Sequence, residues 1–271
     1  RSLPGGVGLV LLANNGTPMG SWASAADMYF SWLDSVVGSQ KTLIVNDSKY
    51  VGSFLHRFKN PFARTAQALH STHLSVDAAT PYGPFTASRA EILLNSEGFD
   101  SLVFLTERQR DHYRSVFSVS GGLRATAIAN PTEEVEARSE GVVERAPGRG
   151  AVVARLRPEK RVDHAVAAIA AVNQSRPDLD VSLDIYGAGP TLPEIEEAVQ
   201  VGDVSSRVHL QGYVPDVDSR LEASSYLLLT STFEGFPLVL LESMAVGCIP
   251  IAYDIRYGPS DIVTDGVDGY L

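Results

Sequence analysis

The sequence predicts an α/β protein built from two parallel-sheet units. Three observations carry that prediction. Apolar runs of strand length alternate with helix-like segments through most of the chain, the pattern of strands joined by covering helices. A stretch at 132–149, rich in Glu, Arg, Gly and Pro and without sustained periodicity, interrupts the series, and 271 residues suffice for two cores.

In the first unit, 1–131, Val7–Ala13 reads as a strand closed by Asn14-Asn15-Gly16, and a mixed helix runs from about Ser21 to Val37. Strand Thr42–Asn46 follows. A further short strand ends at Ala68-Leu69-His70, then come helix Ala87–Leu94, strand Leu102–Leu105, helix Glu107–Val116 and strand Ala125–Ala129. After the linker the second unit, 150–271, reads strand Ala151–Leu156, helix Arg161–Asn173, strand Val181–Tyr186 and helix Leu192–Val201. Strand Val208–Leu210, helix Val217–Ala223, strand Tyr226–Leu229 and helix Leu238–Val246 complete it. Ligands of such sheets bind at the carboxyl ends of the strands, and two units joined by a linker make a cleft. The chain lacks an initiating Met, and Asp268-Gly269-Tyr270-Leu271 stops inside a strand-like pattern, so a fragment of a longer protein is expected.

Composition excludes several classes. The formal charge of −10 argues against nucleic acid as a partner, and a single cysteine, Cys248, allows neither a disulfide framework nor a cysteine metal site within the chain. A reducing, cytoplasmic compartment is the simplest expectation. No apolar run reaches membrane-spanning length.

The stretch Glu234-Gly235-Phe236-Pro237-Leu238 to Glu242 stands out. Pro237 suits a helix start, where a missing NH loses nothing, and the free amides there favour an anion. Glu242, one or two turns into an otherwise apolar helix, needs hydrogen-bond donors or bears a desolvation cost of about several kcal/mol. Acids flanking an anion site suggest a ligand with both hydroxyls and phosphate; capping and loop roles are the alternative. Arg155 and Lys160 bracket the turn after the unit's first strand and are suited to a diphosphate, Arg as a planar fork and Lys as a point charge. Gly187-Ala188-Gly189 lets a backbone approach a ligand, though it lacks the third glycine of the dinucleotide fingerprint. His70 and His73 stand three apart with only Asp77 nearby, which favours a histidine at a substrate over a metal pair, with a capping or core role fitting at least one. Asp216-Val217-Asp218 reads as a helix cap and Asp178-Leu179-Asp180 as a turn.

Together, Arg155…Lys160, Gly187-x-Gly189-Pro190, Gly212-Tyr213-Val214, Ser231-x-x-Glu234-Gly235-Phe236-Pro237-Leu238…Glu242 and Asp265-Gly266-x-x-Gly269-Tyr270 resemble the retaining nucleotide-sugar glycosyltransferases of family four. Tyr257-Gly258-Pro259-Ser260-Asp261 and Leu69-His70-Ser71-Thr72-His73 are similar to the branch of poly(glycerol-phosphate) α-glucosyltransferases of wall teichoic acid and of adhesin glycosyltransferases. The resemblance implies a GT-B fold of two Rossmann-like domains facing a cleft. It implies transfer of glucose or N-acetylglucosamine from a UDP-sugar to a polymer or protein, without metal or cofactor. Arg155 and Lys160 would then hold the donor diphosphate, Glu242 the ribose and Glu234 the transferred sugar. Amides at Gly235, Phe236 and Leu238 would support phosphate or sugar. Backbone at Gly187, Gly189, Gly212 and Tyr213 would approach the donor, and His70, with His73 second, would lie by sugar and acceptor. The resemblance leaves room for peripheral membrane association at the inner face and for a homo-oligomer. A non-catalytic subunit binding a glycosylated partner is the competing reading. Pro4-Gly5-Gly6 is the candidate for the family's glycine-rich acceptor loop, and the family's C-terminal return helix is not in this sequence.

Overall fold

The structure is a computed structural model that describes residues 8–75, 78, 83–117, 123–131 and 145–271. Pro4-Gly5-Gly6, Asp77 and the linker stretch 132–144 lie outside the described residues. Two compact units form, one from Arg1–Phe104 with Arg110–Ala127 and the other from Leu105–Gln109 with Ile128–Leu271.

The first unit begins with an antiparallel hairpin, β1 (Leu9–Leu12) and β2 (Pro18–Trp22). The return strand β2 is not in the sequence reading, which starts a helix near Ser21. The reason lies in two local bonds. Ala13 N–H donates to Thr17 O at 2.8 Å around a turn with Gly16 at φ 83°, so the chain doubles back. Ser24 Oγ then accepts from Asp27 N–H, which delays α1 to Ala25–Val37. Next come β3 (Thr42–Asn46), α2 (Lys49–Leu55), β4 (Ala63–Leu69), α3 (Ala87–Leu94), β5 (Ser101–Phe104), α4 (Glu107–Val116) and β6 (Arg124–Ala127). Helix α2 also escapes the sequence reading. It is seven residues long and contains a glycine and a β-branched valine, so its propensity is poor, and the Ser48 hydroxyl accepting from Val51 N–H is what starts it. The sheet runs β3-β4-β5-β6 with every pairing parallel. Leu69, Ile92, Leu93, Leu102 and Phe104 form its core.

The second unit follows the predicted alternation closely: β7 (Arg149–Val153), α5 (Val162–Ser175), β8 (Ser182–Tyr186), α6 (Leu192–Val201), β9 (Val208–Gly212), α7 (Val217–Glu222), β10 (Tyr226–Leu229), α8 (Leu238–Ala245), β11 (Ile249–Ala252) and α9 (Pro259–Ile262). All its strand pairs are parallel, in the order β11-β10-β7-β8-β9. Apolar side chains cover both faces, Leu183 and Ile185 in one cluster and Leu227 and Leu240 in another. Cys248 is fully buried. The chain's last residues make isolated bridges, Ile251 with Tyr270 and Asp265 with Gly269, instead of the expected strand.

This order fixes where a ligand can sit. From β7 the chain builds outward through β8 and β9, then returns to the other side of β7 as β10. The switch point therefore falls between β7 and β10, where the turns leaving neighbouring parallel strands diverge and open a crevice at their carboxyl ends. Among the described residues no helix is long and apolar enough to cross a membrane.

Candidate functional site

The two turns that diverge at the switch point carry Lys160 and Glu234. Lys160 Nζ donates to Glu234 Oε1 at 2.5 Å, with the two side chains 20% and 14% exposed. The Ser231 hydroxyl donates to the same oxygen at 2.7 Å and is itself buried at 1% exposure. Oε2 of Glu234 takes no hydrogen bond from any described residue, so one carboxylate oxygen is held and the other is free to accept. Two of the three ammonium protons of Lys160 likewise remain for a ligand.

The backbone locks this pairing. Thr232 N–H donates to Glu159 O at 2.8 Å, and the Thr230 hydroxyl reaches both Lys160 O and Arg161 O, at 3.0 and 2.9 Å. Arg161 adopts a left-handed backbone, φ 46° and ψ 45°, between the short turn Pro158–Lys160 and α5. A non-glycine residue there costs about 1–2 kcal/mol, and the Thr230 bonds help to hold it.

Arg155 lies on the same segment after β7 that carries Lys160. It is exposed, has no ion-pair partner among the described residues, and lines a cavity of about 280 Å³ with Val153, Ala154, Tyr186, Gly187, Ala188, Tyr213, Val214 and Val217. The cavity wall is almost wholly apolar, and Tyr213 is 78% exposed at its edge, an arrangement suited to a flat aromatic group. A larger cavity, about 420 Å³, opens in the first unit near Ala63, Thr65 and Asp100, at the amino ends of its strands. Parallel sheets bind ligands at the opposite end, so the smaller cavity is the better candidate.

The glycines after β8 do a different job from the one their spacing suggests. A Cβ on Gly187 would fall 1.8 Å from Ala154 O, and one on Gly189 would fall 2.1 Å from Leu156 O. The close approach they permit is thus to the β7 turn, bridged by Leu156 N–H to Ala188 O at 3.0 Å. They hold Arg155's turn in place. Gly212 O, in turn, accepts from Gly187 N–H at 2.8 Å.

Helix α8 supplies the remaining groups. Pro237 precedes its first residue, and the amides of Gly235 and Phe236 find no acceptor among the described residues. Leu238 is 43% exposed at the helix start. Glu242 is half-buried one turn on, and no described residue donates a hydrogen bond to it. Burial, then the nearby Asp218, raise its carboxyl above the usual range. The cost foreseen for this glutamate is therefore present in the ligand-free protein. Asp216 caps α7, accepting from Ser219 N–H at 3.2 Å, and Asp178 pairs with Arg176 at 2.8 Å.

The two histidines belong to the first unit and part company there. His70 is exposed at the end of β4. His73 is fully buried against Phe85 and Phe104, with ring centroids 6.0 and 6.3 Å away, which gives it a core position. No group of three or more potential metal ligands occurs among the described residues. Sequence reasoning named Ser231 only within a motif and Thr230 only as the end of a strand, and gave neither a role. Their signal was a run of three hydroxyl residues, Thr230-Ser231-Thr232, at the carboxyl end of a buried strand.

Comparison with known proteins gives this geometry a context. Residues 149–271 match the family model described as glycosyl transferases group 1. The chain is 26% identical over 216 residues to the poly(glycerol-phosphate) alpha-glucosyltransferase of Bacillus subtilis, covering 79% of this chain and 30% of that protein. It is 26% identical over 210 residues to the UDP-N-acetylglucosamine–peptide N-acetylglucosaminyltransferase GtfA subunit of Streptococcus gordonii, covering 77% and 41%. A crystal structure of an S. aureus TarM variant in complex with Fondaparinux, alpha-GlcNAc-glycerol and UDP superposes with a TM-score of 0.82 at 22% identity, over 97% of this chain and 56% of that one. The chain thus spans well under two thirds of these proteins. Its fold is GT-B, as the family resemblance implies.

Proposed function

We propose, from the match of residues 149–271 to the glycosyl transferases group 1 model, that the second unit is the donor-binding part, and the first the acceptor-side part, of a retaining glycosyltransferase. The enzyme moves glucose or N-acetylglucosamine from a UDP-sugar to a hydroxyl of a cell-envelope polymer or glycoprotein. The observation that carries the reading is the Lys160–Glu234 pair at the switch point, with Arg155 on the same segment after β7 and without an ion-pair partner among the described residues. A cation and an acid held together but each with unused hydrogen-bonding capacity match a ligand that offers phosphate to one and hydroxyls to the other.

In this reading Arg155 and Lys160 bind the diphosphate and offset the charge that builds on it as the glycosidic bond breaks. Glu234 accepts from the transferred sugar through its free oxygen. The amides of Gly235, Phe236 and Leu238 support phosphate or sugar. The apolar cavity, with Tyr213 and the Gly212 backbone, takes the uracil. Glu242 accepts from the ribose hydroxyls, donors that its own surroundings do not supply. His70, the exposed histidine of the first unit, is the one assigned to sugar and acceptor. The acceptor attacks from the face the nucleotide leaves, and the donor phosphate helps to take its proton. Catalysis is positioning and electrostatics, with the two cations in the role a divalent ion plays elsewhere. The relatives that act on a glycerol-phosphate polymer and on a peptide support an acceptor in one of those classes. A nucleotide-sugar donor and a single buried cysteine support a cytoplasmic reaction.

A donor-hydrolysis screen of the full-length protein against UDP-, GDP- and ADP-sugars tests this. Turnover of UDP-glucose or UDP-N-acetylglucosamine above the others is expected. Preference for a purine nucleotide sugar, or no turnover and no binding of any, contradicts it.

A further inference from the structure

The Lys160–Glu234 pair does not set its own geometry. Both partners sit on turns, and turns hold a charged pair in one arrangement only where other bonds fix them. The three residues that follow β10 supply those bonds. Thr232 N–H binds Glu159 O at 2.8 Å, the Thr230 hydroxyl binds Lys160 O and Arg161 O, and the Ser231 hydroxyl binds Glu234 Oε1 at 2.7 Å. One short segment thus grips the backbone that carries the lysine and the carboxylate that meets it.

We propose that Thr230 and Ser231 are positioning residues, Thr230 aiming Lys160 and Ser231 aiming Glu234, so that the diphosphate and sugar contacts are set before the donor arrives. The inference rests on the donor-site reading above. Three details support it. The single proton of the Thr230 hydroxyl is shared between two carbonyls, and these flank the left-handed residue Arg161 at φ 46°, where the chain turns from Lys160 into α5. A bond at that hinge controls the direction of the lysine more than a bond elsewhere on the turn would. Ser231 is 1% exposed, so water does not compete for its bond to Glu234. Finally, because Ser231 and Lys160 both use Oε1, they leave Oε2 without a donor among the described residues.

The two residues make separable predictions. Thr230→Val keeps the shape and removes the hydroxyl, and it acts on the residue assigned to phosphate. Ser231→Ala acts on the residue assigned to the sugar. Isothermal titration of the full-length protein with UDP, together with steady-state donor hydrolysis, reads both. Thr230→Val raises the Kd for UDP about tenfold at a stoichiometry near one, and Thr230→Ser restores it to within about threefold. Ser231→Ala leaves the Kd for UDP within about threefold of the unsubstituted protein but lowers kcat about tenfold. Wild-type Kd in Thr230→Val, or a reduced stoichiometry at unchanged Kd, assigns the hydroxyl to folding alone and overturns the proposal for Thr230. Thr230→Ser as weak as Thr230→Val does the same, and unchanged kcat in Ser231→Ala overturns it for Ser231. If the unsubstituted protein itself fails to bind UDP, the donor-site reading fails first, so the two failures are distinct.

Discussion

Replacing Glu242 by Gln separates binding from folding in one substitution. In the ligand-free protein this carboxylate is half-buried, lacks a hydrogen-bond donor among the described residues, and is raised above its ordinary titration range by burial and then by Asp218. Between its unfolded and folded values the native state holds more protons than the unfolded state, so the stability contribution of Glu242 falls as pH rises through that window. At neutral pH the charge is a net cost, and Glu242→Gln removes it. We expect the ligand-free variant to gain about 0.5–1 kcal/mol, a rise in Tm of a few degrees, and the gain to vanish in acid where the wild-type carboxyl is neutral. UDP binding should move the other way. A carboxylate accepting from ribose hydroxyls makes charge-assisted bonds, and a neutral amide keeps only the weaker version, a loss of about 1.5 kcal/mol or roughly tenfold in Kd. Wild-type affinity should also decline on acidification through the raised Glu242 range, and that component of the decline should disappear in the variant. Thermal unfolding and calorimetry with UDP at several pH values provide the assay. A variant that is less stable at neutral pH, or that binds UDP as well as wild type, refutes the reasoning.

Other outcomes follow from the same second unit. Asp184 is 2% exposed and accepts from Arg149 Nε at 2.6 Å and Gln211 Nε2 at 2.7 Å. Burial alone would raise its carboxyl, but those two donors and the Arg149 charge outweigh it and hold the group below its ordinary range. Its stabilisation is present above the unfolded value and lost as pH falls through the folded one. Asp184→Ala should cost about 2 kcal/mol in urea unfolding while leaving the Kd for UDP unchanged; an unaffected midpoint would contradict the role. Gly189→Ala puts a Cβ 2.1 Å from Leu156 O, so the β7 turn must shift. Stability should fall by about 1–3 kcal/mol and UDP affinity with it, and neither should move if the turn carrying Arg155 is freely deformable.

Much of this was legible in the sequence, and the unevenness has physical causes. In the second unit each strand is an apolar run bounded by polar turn residues, and Leu192–Val201 and Tyr226–Leu229 form as read because local pattern and burial agree there. The first unit hid β2 and α2, since a hydrogen bond across a turn decides the hairpin and one serine hydroxyl decides the helix. In the site, residue type alone marked only Glu242 as chemically unusual for its place; Lys160 and Glu234, each ordinary by itself, drew notice in combination with it and with Arg155. Residue types could not show that Lys160 reaches Glu234, a contact 74 residues apart in sequence that exists only because β10 pairs beside β7. Nor could spacing show that Gly187 and Gly189 pack against the chain's own Ala154–Leu156 turn, because a glycine's permissiveness does not reveal what approaches it. The histidines differ for the same reason: both leave one strand end, yet the aromatic packing of Phe85 and Phe104 takes His73 inward and leaves His70 exposed.

The central claim is that Lys160 and its partners form a nucleotide-diphosphate site. Calorimetric titration of the full-length protein with UDP, compared with its Lys160→Ala variant, tests it most directly. The account predicts saturable binding near one equivalent, weakened roughly 10- to 100-fold in the variant through loss of a charge-assisted contact. Absence of UDP binding, or equal affinity in the two proteins, would contradict it.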